Sequence, residues 1–240
     1  VKKIKISAVS YTNSKPFIYG LQHSDILEKI ELSLDTPSDC AQKLISGTAD
    51  IGLVPVAALL NIPDHHIVAD YCIGASQAVN SVFIFSNVPI QELKTLRLDA
   101  QSRTSNNLAK VLLKNYWELS PKIVEEDAEP DGFVEIGDRT FGKTTKFPYV
   151  YDLAEEWIKF TGLPFAFAVW AANRSLPDDF IKEFNEALKL GVDNREAVIK
   201  EISQRDDFDL GDYLMNRIDF VLDDKKKQAI SKFLAFVQAL

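Results

Sequence analysis

At 240 residues the chain is long enough to bury a full hydrophobic core, as one large domain or two small ones. Its 46% hydrophobic and 26% charged residues are ordinary for a soluble globular protein. A formal charge of −8 with no Lys/Arg stripe argues against a nucleic-acid binder, which needs a basic face, and no segment approaches the roughly 20 apolar residues of a membrane span.

The opening run "IKISAVS" reads as a strand that dissolves into Ser10, Tyr11, Thr12, Asn13, Ser14 and Lys15 before Pro16. Pro16 in a first turn, with Ser14 as cap, predicts a helix over "SKPFIYGLQ". "KIELSLDT" alternates as a strand does. "PSDCAQKLISG" is the cleanest helix, opened by Pro37 or Ser38, striped by Ala41, Leu44 and Ile45 and stopped by Gly47. A buried strand is expected over residues 51–54, then β-rich runs at "HHIVADYCIG" and "NSVFIFSN". "LRLDA" is a short strand, and the following helix carries Leu108, Val111, Leu112 and Tyr116 on one face. "FVEIGD" is a strand, "YDLAEEWIKFTG" an amphipathic helix closed by Gly162, and "PFAFAVWAAN" a continuous apolar strand. From Pro177 onward the pattern is helical only.

Alternating β and α elements with short turns predict an α/β protein with a mostly parallel sheet. The pattern of strand, polar turn and helix start occurs at Ser10–Pro16 and again at Asp99–Asn106, and the terminal helices need a sheet to pack on. Both features predict two lobes: residues 1–85 with 174–240, and residues 86–173, the chain crossing near Ser86 and returning near Asn173.

Open α/β sheets bind ligands where strand ends meet helix N-termini. Four polar clusters fall at such places: Tyr11–Ser14, Thr36–Ser38, Asn80–Ser81 and Ser102–Ser105. Helix N-termini carry free N–H groups and partial positive charge, and Ser and Thr hydroxyls add directional donors. Each cluster taken singly is explained by helix capping. Four on one expected rim point to a cleft for a small anion, with Lys15 and Arg103 as candidate charge partners. Asp138, at the end of a strand, could orient a ligand hydroxyl or equally cap the next helix.

The usual catalytic signatures are missing: there is no G-x-S-x-G elbow and no P-loop, and "GDRTFGK" does not match a dinucleotide fingerprint. His23, His65 and His66 lack acidic or Cys partners, and Cys40 and Cys72 read as buried thiols rather than metal ligands or a disulfide, so no metal site is expected. The basic N-terminus has too short an apolar stretch for a secretory core. Residues alone therefore leave open whether the cleft binds or catalyses.

Six segments taken in order, "SYTNSKPF", "TPSDCAQKLISGTADIGLVPV", "NSVFIFS", "LDAQSRTSNNLAKVLL", "EIGDRTF" and "YDLAEEWIKFTGLPFAFAVW", resemble the chorismate dehydratases of the futalosine route to menaquinone, over about residues 4–174. The resemblance implies a periplasmic-binding-protein-like fold of the two-crossover type with an interlobe ligand cleft, in a cytoplasmic enzyme without metal or organic cofactor. It implies loss of water from chorismate to give 3-[(1-carboxyvinyl)oxy]benzoate, with the family's motif Asn and Ser falling on Asn13 and Ser81. Tyr11, Ser38, Asn80, Ser102, Thr104, Ser105 and Asp138 are then the candidate substrate-binding residues. Chorismate is a dianion, so it needs two carboxylate sites. Aromatisation of its ring lessens the need for a strong protein base, and the substrate's own enolpyruvyl carboxylate is the expected base. The rival readings are a solute-binding protein for a small carboxylate, the later pathway enzyme that makes a dihydroxynaphthoate, and a ligand-sensing domain.

Overall fold

Apolar runs build the strands, and the polar exit of each early strand turns into a helix. In the computed structural model, which describes residues 3–125 and 127–240, β1 (Ile4–Val9) passes through a 3-10 turn (Thr12–Ser14) into α1 (Lys15–Gln22). β2 (Ile30–Asp35) leads to α2 (Pro37–Ile45), and β3 (Ile51–Pro55) to a 3-10 segment at Val56–Asn61. There follow β4 (His66–Ala75), β5 (Val82–Ser86), β6 (Thr95–Arg97), α3 (Arg103–Asn115), β7 (Lys122–Val124), β8 (Gly132–Ile136), β9 (Tyr149–Asp152), α4 (Leu153–Thr161) and β10 (Phe165–Ala172). The chain closes with α5 (Asp178–Asp193), α6 (Arg195–Glu201), α7 (Leu210–Asp212), a π-helical turn (Tyr213–Arg217), β11 (Asp219–Val221) and α8 (Asp224–Gln238). Among the described residues no helix is long and apolar enough to cross a membrane.

Two sheets form, in the orders β11-β4-β10-β3-β1-β2 and β7-β6-β8-β5-β9. Both are mixed rather than mostly parallel. β1 is parallel to β2 and β3, but β10 runs antiparallel between β3 and β4; β6 is parallel to β7 and β8, but β5 is antiparallel to β8 and β9. A strand buried on both faces, as "FAFAVWAA" is, has the same composition in either direction, so its sense is invisible in the sequence. The chain changes sheet between β4 and β5, and again between α4 and β10. These changes come earlier than the expected lobe limits at 85/86 and 173/174: β5 belongs to the second sheet and β10 to the first. The terminal region also holds a strand, β11, on the edge of the first sheet. Tyr151 and Asp152, expected in a helix, end β9 instead, and Asp152 caps α4 by accepting from Ala154 and Glu155 N–H groups.

The core is aromatic where the layers meet. Phe17 of α1 lies edge-on to Trp170 of β10 at 5.7 Å and to Phe220 of β11 at 5.3 Å. Trp157 of α4 packs on Phe165 of β10 at 5.2 Å and on Phe233 of α8 at 6.0 Å, so α8 sits against elements of both lobes. α1 and α5 approach so closely that a Cβ on Gly191 would lie 1.7 Å from the Pro16 carbonyl oxygen.

Candidate active site

β1 exits at Val9 into Tyr11 and the Asn13–Ser14 turn, while β3 delivers Pro55 to the same end of the first sheet. From the second sheet the start of β5 brings Ser81 and Val82, the end of β8 brings Ile136 and Gly137, and the first turn of α3 brings Ser102, Thr104 and Ser105. These residues, with Pro37 at the start of α2 and Phe167 of β10, wall a cavity of ≈ 60 Å³ between the two lobes. Its polar groups are hydroxyls, one amide and one phenol, and no Asp, Glu, Lys, Arg or His is among its lining residues.

Six of the nine residues singled out in the sequence meet here: Tyr11, Asn13, Ser81, Ser102, Thr104 and Ser105. The other three stand around it. Ser38 sits beside the lining residue Pro37 and donates to the Gln101 carbonyl at 3.4 Å. Asn80, in the left-handed region at φ 60°, gives its N–H to Asp152 at 2.7 Å and so fixes the turn that presents Ser81. Asp138 accepts from Thr12 N–H at 3.1 and 3.2 Å and from Thr12 Oγ1 at 2.9 Å. It is thus a fastener between lobes rather than part of the wall. Neither Lys15 nor Arg103 lines the cavity; Arg103 is exposed, on the first turn of α3.

Thr12–Asp138 is one of several contacts that hold the lobes together. The Tyr11 phenol donates to Gln101 Oε1, and the Ala57 N–H donates to Thr104 Oγ1 at 3.0 Å. Gly137 belongs to the same seam: at φ 65° it turns beside the Tyr11 ring, 2.9 Å from where a Cβ would sit, and its N–H donates to the Ser81 carbonyl at 2.8 Å. Asp99, almost fully buried, pairs with Arg139 at 2.7 Å and accepts from Ile136 and Gln101 N–H groups, which stiffens the floor beneath.

Burial keeps the phenols neutral. It pushes Tyr11 up, against the nearby Arg139 guanidinium. It pushes Tyr213 up further. The Tyr213 hydroxyl donates to Ser81 Oγ at 2.8 Å, a contact across 132 residues of sequence. Burial also pushes the Asp152 carboxyl up to about 6, against bonds from the Asn80, Glu155, Val79 and Ala154 backbone groups. Tyr213 and Gln101 carry no local signal. Tyr213 lies in a stretch that reads as helix, and only the folded chain brings it to Ser81.

Two mixed sheets, two chain crossings and a polar-walled cavity between the lobes define a protein of the periplasmic-binding-protein-like class. A Candida albicans gene product with the generic periplasmic binding protein fold superposes with a TM-score of 0.66, covering 100% of this chain and 91% of its own at 13% identity. The chain belongs to the menaquinone biosynthesis family, whose model matches residues 4–239. It is similar to the chorismate dehydratase of Thermus thermophilus, at 27% identity over 220 residues, 81% of this chain and 80% of the relative. It is also similar to the chorismate dehydratase of Campylobacter jejuni, at 29% identity over 177 residues, 71% of this chain and 68% of the relative.

Proposed function

We propose that this chain is a chorismate dehydratase, a hydro-lyase that converts chorismate to 3-[(1-carboxyvinyl)oxy]benzoate and water. The observation that carries the reading is the juxtaposition of Asn13 and Ser81 in one interlobe cavity walled by neutral hydrogen-bond donors, in a chain similar to two chorismate dehydratases. The ring C–H bond beside the ether breaks, its electron pair enters the ring, and the ring C–O bond breaks as hydroxide leaves. The proton and hydroxide depart together as water. With no carboxylate or imidazole in the wall, the substrate's enolpyruvyl carboxylate is the base. Asn13 holds that carboxylate or the departing hydroxyl, and Ser81 hydrogen-bonds the leaving oxygen. The first turns of α2 and α3 offer N–H groups and positive potential to the substrate's negative charges. Rate then comes from positioning and from donors fixed in advance, in a closed, water-poor site. The interlobe bonds of Thr12, Tyr11 and Thr104 part to admit substrate and re-form around it. Cys40 and Cys72 are free and buried, which suits a reducing, cytoplasmic setting.

Incubation of the purified protein with chorismate, followed by ultraviolet spectroscopy, tests the reading. Loss of the cyclohexadiene absorbance with growth of a substituted-benzoate spectrum is expected. Recovery of unchanged chorismate after dialysis would make the protein a receptor for a small carboxylate.

A further inference from the structure

We propose that Tyr213 is a positioning residue: by donating to Ser81 Oγ at 2.8 Å it turns the serine's own O–H into the cavity, where it hydrogen-bonds the leaving hydroxyl. This rests on the dehydratase reading and deepens it. A serine hydroxyl has one proton and two lone pairs. Ser81 is 1% exposed, and among the described residues its Oγ has no hydrogen-bond partner besides Tyr213. With one lone pair filled from behind, the O–H faces the cavity that Ser81 lines.

Tyr213 itself cannot swing away. It is 1% exposed, and its ring is held edge-on by Phe141 at 5.3 Å and Phe208 at 5.4 Å, two rings that stack on each other at 3.8 Å. Burial holds the proton on its phenol, so it acts as a donor throughout the working pH range. Asn13, from the cavity wall, lies near the Tyr213 oxygen and works against the rise of its phenol. Ser14 Oγ in turn donates to Asn13 Oδ1 at 3.2 Å. Asn13 comes from the first sheet's rim and Ser81 from the second's, so the two meet only with the lobes together.

Steady-state kinetics on chorismate test this. Tyr213→Phe is expected to lower kcat at least about tenfold while KM changes less than about threefold. In the Ser81→Ala background the same substitution is expected to cost no further kcat, because Tyr213 acts through Ser81. Wild-type kcat in Tyr213→Phe, or an equal loss in both backgrounds, would overturn the assignment. If circular dichroism shows that Tyr213→Phe does not fold, 3-fluorotyrosine at 213 supplies a stronger donor with the hydroxyl kept. A rise in kcat is then expected, and no change or a fall overturns the proposal. Failure of the underlying reading looks different: the wild-type protein itself would not turn chorismate over, and the role of Tyr213 would fall with it.

Discussion

In the proposed reaction Asn13 and Ser81 act as unionised groups. Neither titrates; each offers a hydrogen bond at a fixed place in the interlobe cavity. Removing one such donor from a pre-arranged site costs on the order of 10²–10³ in turnover. Asn13→Ala and Ser81→Ala are each expected to lose kcat on that scale while the melting temperature moves by only a few degrees, measured by enzyme assay and thermal denaturation side by side. Full activity in both variants would remove them from the mechanism. At this scale the sequence was informative where a polar residue breaks an apolar run. Tyr11 and Asn13 stand at a strand exit, Ser81 at a strand start and Ser102–Ser105 at a helix start, and physical chemistry gives such positions a reason to face a ligand. It was silent on Tyr213, Gln101 and the Asp152–Asn80 bond, whose meaning lies in contacts between residues far apart in the chain. Asp138 shows the intermediate case: its place at a strand end was legible, but its role as a fastener to Thr12 needed the partner lobe.

Among the elements, α1 and α5 set the height of the site. α1 starts two residues after Asn13, and its seat on α5 depends on bare backbone at Gly20 and Gly191. A Cβ on Gly191 would meet the Pro16 carbonyl at 1.7 Å, and backbone on both sides leaves nothing flexible to yield. Gly191→Ala is therefore expected to destabilise the protein by about 2–3 kcal/mol, on the scale of overpacked cores. It should also weaken turnover by shifting the Asn13 turn; urea denaturation and kinetics read the two effects, and unchanged stability would contradict this packing. The longer helices and buried strands were legible from periodicity, as with α2, α3 and α5. Of the three- and four-residue strands, β6 was read from "LRLDA", while β7, β9 and β11, with too few residues to display a period, were not. Sense was hidden for the same physical reason throughout: a doubly buried strand reads identically up or down.

Across the whole molecule, the C-terminal region is the part least explained by local pattern and most used in assembly. α8 reaches both lobes, through Phe233 on Phe165 of β10 at 5.1 Å in the first and through Phe233 on Trp157 and the Lys114 side chain, which donates to the Ala239 carbonyl at 2.8 Å, in the second. Lys226 is fully buried, with Asp219 at 2.6 Å and Asp223 at 3.2 Å around it, and Asp219 in turn accepts from Ser76 at 2.5 Å where the chain leaves the first sheet. The tail thus braces the crossing segment, while Tyr213 from the same stretch supports Ser81. The chain changes sheet earlier than the repeated strand–turn–helix pattern suggested, because β5 lies in the second sheet and β10 in the first. The central claim is that this cavity removes water from its substrate without a titrating base of its own. The dependence of kcat on pH between 7 and 9, with chorismate saturating, tests it most directly. Both phenols near the site are pushed up by burial and the substrate carboxylates are ionised throughout this range, so kcat is predicted to stay flat. A limb of unit slope within that range would show a protein group gaining or losing a proton in the reaction, and would contradict the account.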